Sequence, residues 1–104
     1  MNEETKTLLL SLLKLDLGIT HNLRDTYFSN VITSGLNEIK TMGAELNLSN
    51  ADDQMLLVDY VAWNYRHRQE NVPLSRNIQF RINNRLIKKA GTVNAITEIK
   101  LGEQ

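Results

Sequence analysis

The sequence predicts an all-α domain, a small four-helix bundle-like unit over residues 1–91 followed by a C-terminal extension over residues 92–104. Three observations predict it. Four stretches carry apolar residues at helical spacing, each opens on capping or acidic residues, and three of them close on a glycine, at Gly18, Gly43 and Gly91.

The first helix is expected over about Glu3 to Leu15. Leu8, Leu12 and Leu15 make one stripe and Leu9 and Leu13 an adjacent one, together a wide apolar face. Glu3 and Glu4 suit the positive end of the helix, and Gly18 suits a left-handed cap. A second helix is expected from near Asn22 to about Met42, with Leu23, Tyr27, Phe28, Val31, Ile32, Leu36 and Ile39 in register. Gly35 sits on that apolar face at a cost of about 1 kcal/mol against alanine, which points to close approach of another helix. Ser49 is the expected N-cap of a third helix, with Asp52 as the acid of a capping box. That helix, about Asn50 to Arg68, is apolar nearly all the way round and belongs at the centre. Pro73 is expected to stop it, and Ser75 to cap a fourth helix reaching about Lys89. Core positions are expected at Leu12, Val31, Leu57, Val61 and Trp63. The tail alternates in part, with Val93, Ala95, Ile99 and Leu101, and suits a disordered end, a short helix, or a short strand or helix that orders on assembly.

At 104 residues with 41% hydrophobic and 23% charged residues, the chain holds one modest core. No cysteine is present, so disulfide, thiol and cysteine–metal chemistry are out. The leucine-rich start follows two acids and is broken by Ser11, Lys14 and Asp16, unlike a signal peptide, and it is too short and polar to span a bilayer. No membrane partner, cofactor or catalytic constellation is expected. His21 and His67 lie far apart, without metal-ligand spacing, and read as a turn histidine and a helix-surface histidine. Asp52 and Asp53 point in different directions on a helix, so they read as helix-start acids, not as a catalytic pair.

The overall charge balance hides an asymmetry. Residues 1–59 carry four basic and nine acidic groups, net −5, and residues 60–104 carry eight and three, net +5. Such a split suits either a polyanionic partner or packing between copies. On the fourth helix Arg81, Arg85 and Lys88 fall within about 60° of one another, a basic stripe. Beside it run Ile78, Ile82 and Leu86, while Phe80 and Ile87 point the other way and imply a second packing partner. Trp63, Tyr65, Arg66 and Arg68 raise a nucleic-acid reading, but their place on a core helix and at its C-terminus explains them as well. A helix-turn-helix formed by the third and fourth helices fits poorly, because "QENVPL" is longer than the usual turn.

The order "LLLSLLKLDLGIT", "LRDTYFSNVITSGLNEI", "DDQMLLVDYVAWNYRHR" and "NIQFRINNRLIKKAG" resembles the small head–tail connector (adaptor) proteins of tailed bacteriophages, typified by the connector of the lambda-like phage HK97. The resemblance spans roughly Thr7 to Gly91. It implies an all-helical structural protein of the virion neck, made in the host cytoplasm, without enzymatic activity or cofactor. Such a protein forms a ring under the portal, docks the next neck or tail component, and lets the genome pass, with transient non-specific DNA contact. Arg81, Arg85 and Lys88 would then pair with a neighbour's acids or line the channel, and Phe80 and Ile87 would pack at the interface. A channel must let DNA slide, which favours the intersubunit role. On this reading Glu at positions 81 and 85 blocks incorporation and leaves the fold helical. The alternatives are a small DNA-binding regulator reading through the fourth helix, and an adaptor for an unrelated complex.

Overall fold

In the computed structural model, residues 1–86 are described, and they form four helices without a strand. These are α1 (Glu3–Leu17), α2 (Asp25–Thr41), α3 (Ala51–Arg66) and α4 (residues 76–86). Ile87, Lys88, the expected end of the fourth helix and the tail lie outside the described residues.

Helix α1 starts where the Asn2 side chain accepts the Thr5 N–H at 2.7 Å, with Glu3 and Glu4 in the first turn. It runs two residues past Leu15 and closes on Gly18 at φ +73°, whose N–H and that of Ile19 take up the carbonyls of Leu15 and Lys14. Only half of its wide apolar face turns inward. Leu9 and Leu13 are fully buried, Leu12 is half-buried, and Leu8 and Leu15 are exposed.

Helix α2 begins three residues later than the apolar spacing suggests. Lys14 Nζ reaches Asn22 Oδ1 at 2.9 Å and Asp25 Oδ1 at 2.8 Å. That grip holds residues 19–24 as a turn, and Leu23 is left outside the helix with 88% of its surface exposed. Phe28, Ile32, Gly35 and Ile39 then form the buried stripe, and Val31 is half-buried. The expected close approach is at Gly35: a Cβ there would stand 2.7 Å from Val61 Cγ2 on α3.

Helix α3 is capped by Asn50, not by Ser49. Asn50 Oδ1 accepts the Asp52 N–H at 3.0 Å, so the acid expected to close a capping box is itself capped through its backbone. The helix ends at Arg66, two residues early and well before Pro73, in a turn where the His67 N–H returns to the Trp63 carbonyl. Leu56, Leu57, Val58, Tyr60, Val61 and Ala62 are buried on nearly every side, which makes α3 the centre of the bundle against α1 and α2. Trp63 is half-buried against the same core. Ser75 caps α4 as expected, its Oγ accepting the Ile78 N–H at 3.4 Å, and Ile78 and Ile82 complete the core. Full burial of each large aliphatic or aromatic side chain is worth about 1.5–3 kcal/mol.

Candidate functional site

Arg81 and Arg85, the two members of the basic stripe within the described residues, are turned toward their own chain. Arg81 Nη1 lies 2.7 Å from Asp59 Oδ2, and Arg85 Nε and Nη2 both reach Asp53 Oδ1, at 2.8 and 2.6 Å. Along α4 the pairs ascend while along α3 they descend, as for antiparallel helices. Asp53 is almost wholly buried, and its other oxygen accepts the Asn47 N–H at 2.7 Å. One carboxylate therefore ties together the start of α3, the loop before it and α4. From the sequence Asp53 reads as a helix-start acid, and Asp59 has no local signal of its own. The missed signal is a pair of acids on one helix facing a pair of arginines on the next.

The charge asymmetry has the same outcome. Asp16 pairs with Arg66 at 2.9 Å, Asp59 with Arg81 and Asp53 with Arg85, each pair joining the acidic first part of the chain to the basic second part. An incoming acid from a neighbour would have to compete with a carboxylate already in place. Glu at positions 81 and 85 would moreover face Asp59 and Asp53, so that double change disturbs the fold itself and says nothing of an interface.

Arginines and aromatics do gather where α2 begins and α3 ends. Arg68 stacks 3.9 Å over Tyr65, Arg24 lies 5.0 Å over Tyr27, and Arg24 Nη1 donates to Tyr65 Oη at 2.7 Å. Tyr65 also meets Phe28 edge-on at 5.2 Å. These cation–π contacts clamp the two helix ends, and cover the Tyr65 ring that a base would need for stacking. Arg66 is tied to the Asp16 carbonyl and carboxylate. His67 stacks on Trp63 at 3.9 Å, and His21 Nδ1 accepts the Leu23 N–H in the turn. Among the described residues no group of three His, Cys, Asp or Glu side chains could hold a metal, and no helix is long and apolar enough to cross a membrane.

Tyr60 is buried, with its Oη against a carboxylate. Its hydroxyl is pushed up to about 12 from 10.0, first by burial and then by the Glu38 carboxylate to which it donates at 2.8 Å. Between these values the unfolded chain loses the proton and the folded chain keeps it. Stability from this group is full below pH 10.0 and declines as pH rises through about 12. Phenolate absorbance should show Tyr60 titrating late, as the component that Tyr60→Phe removes, with thermal stability falling over the same window. Titration of Tyr60 near 10.0 would contradict the geometry.

Several large apolar side chains are also exposed among the described residues, Leu23 the most at 88%. Leu15 is 78% exposed and Phe80 62%, with Leu8 also open on the outer side of α1. Phe80 points away from the Ile78 and Ile82 face of α4, as its spacing requires. These two patches lie on different helices and have no covering element among the described residues.

Compared with models of known families, with curated protein sequences and with solved structures, the chain matches none. Fold and side-chain geometry are therefore the ground for a functional reading.

Proposed function

We propose that the chain is a structural assembly subunit of the head–tail connector type, one that packs against copies of itself in a ring under a portal and docks the next neck or tail protein. The observation that carries this reading is two apolar patches on different helices that are left exposed among the described residues, Leu8 with Leu15 on α1 and Phe80 on α4. Two different patches on one chain suit a head-to-tail contact, which closes into a ring when the rotation between neighbours allows it. The helix order that resembles the connector family agrees with it. The contact is apolar, not ionic, because Arg81 and Arg85 already hold partners in their own chain.

The experiment is solution mass by light scattering over a range of concentration and salt, with and without a mixed-sequence duplex. A discrete oligomer that persists at high salt and ignores DNA is the expected result, since salt screens charges and leaves apolar contacts intact. An oligomer that dissolves as salt rises would contradict the apolar contact. Salt-sensitive duplex binding by a monomer would favour the DNA-binding reading instead. The in-chain bonds of Arg81 and Arg85 weigh against that reading.

A further inference from the structure

Two arginines meet at one tyrosine where α2 begins and α3 ends, and neither is neutralised. Arg66, Arg81 and Arg85 hold Asp16, Asp59 and Asp53 within 2.9 Å, whereas Arg24 and Arg68 make no ion pair among the described residues. The acids on the adjoining helix ends are taken, Asp25 by Lys14 at 2.8 Å and Asp16 by Arg66. Tyr65 fixes both free guanidiniums. Arg68 lies 3.9 Å over its ring, and Arg24, 5.6 Å from the ring centre, donates to its hydroxyl at 2.7 Å. The ring is held in turn by the edge-on contact with Phe28, which is fully buried. The chemistry of the cluster is one-sided. A guanidinium has five N–H donors and no acceptor, and Tyr65 Oη, having accepted from Arg24, donates to no group among the described residues. Arg24 and Arg68 are exposed, and so are Leu23 at 88% and Tyr27 at 42%, on either side of Arg24 in the chain.

We infer that this pair of arginines binds a phosphorylated side chain, a phosphate monoester carried by a partner polypeptide. Two guanidiniums brought to one ring repel each other, and a single group with two negative charges relieves both. A phosphate monoester approaches that charge at neutral pH and presents acceptor oxygens alone, where a carboxylate brings one charge. The planar fork of each guanidinium matches phosphate oxygens in pairs. Leu23 and Tyr27 give the carrier chain an apolar rim that a bare ion does not use. Duplex DNA fits less well, because it draws its affinity from many phosphates neutralised at once and two arginines offer few such contacts. The site uses neither the leucine patch nor Phe80, so it stands apart from the assembly reading.

The test is an NMR titration of the full chain with the tripeptide Leu-phosphoserine-Leu, acetylated and amidated at its ends. Beside it run the matching serine and glutamate peptides and inorganic phosphate. The expected result is saturable shifts at the Arg24 and Arg68 side-chain N–H groups and at Tyr65 with the phosphopeptide. Glutamate and inorganic phosphate should bind more weakly, and serine not at all. Arg24→Gln, which keeps a donor for Tyr65 Oη, should weaken binding by at least about tenfold, the loss of one charge-assisted hydrogen bond. Arg68→Lys keeps the charge without the fork and should weaken binding less than Arg68→Gln does. Lys40→Gln removes a cation from the last turn of α2, at the other end from Arg24, and should leave binding unchanged. Circular dichroism of each variant should show the helices intact. Undiminished binding by Arg24→Gln, an equal loss with Lys40→Gln, or inorganic phosphate binding as tightly as the phosphopeptide would overturn the proposal. So would displacement of the phosphopeptide by a mixed-sequence duplex at equal phosphate concentration.

Discussion

Asp53→Ala should cost about 3 kcal/mol of stability and lower the midpoint of thermal unfolding by at least about 12 °C. The carboxylate accepts from both Arg85 nitrogens and from the Asn47 backbone, with the two side chains only 12% and 21% exposed, so its removal strands a guanidinium and an N–H away from water. A loss of that size is a large fraction of the stability of a small domain. Asp59→Ala breaks the neighbouring pair with Arg81, whose side chains are 34% and 28% exposed. Solvent screens that pair, and its loss should cost only about 1 kcal/mol. Replacing Asp53 and Arg85 together by Leu and Met should recover much of the loss, because the stranded charge goes with its partner. Equal costs for Asp53→Ala and Asp59→Ala, by chemical denaturation, would show that burial does not separate the two pairs.

Gly35→Val is the second large effect, at about 3 kcal/mol. Its Cβ would fall 2.7 Å from Val61 Cγ2, 3.5 Å from Tyr60 Cδ2 and 3.6 Å from Leu57 Cδ1, all on buried residues of α3. Val61 is stiff about its first torsion and is 1% exposed, so relieving the contact pushes α2 away from α3. Alanine at the same place meets the same contact but gains about 1 kcal/mol of helix propensity, so it should cost less. Adding Val61→Ala should relieve the clash and restore part of the midpoint. If Gly35→Val unfolds at the same temperature as the parent chain, the helices are not in contact at that point.

The helices were legible because local signals and the core agree. Apolar spacing, Gly18, Gly43 and Ser75 bracket elements whose buried stripes face one centre. Boundaries moved where a side chain from elsewhere in the chain intervened, as when Lys14 holds Asn22 and Asp25 and delays α2 past Leu23. The burial of Leu9 and Leu13 with Leu8 and Leu15 left outside was not legible, since periodicity marks a wide face without saying which part a neighbour covers. The candidate site was read least well for the same reason. A helical wheel groups Arg81 with Arg85, but whether they look outward depends on Asp53 and Asp59, 32 and 22 positions away. Charge counted by halves sees neither those pairs nor Asp16 with Arg66.

Mixing two singly blocked chains tests the head-to-tail contact most directly. Leu15→Arg disables the patch on α1, Phe80→Arg disables the one on α4, and both residues are exposed, so neither change should disturb the core. Each variant alone should be monomeric by light scattering. Together they should form a one-to-one dimer and stop there, joined through the one intact patch of each. Two variants that stay monomeric when mixed, or either one that still assembles alone, would contradict a contact between these patches.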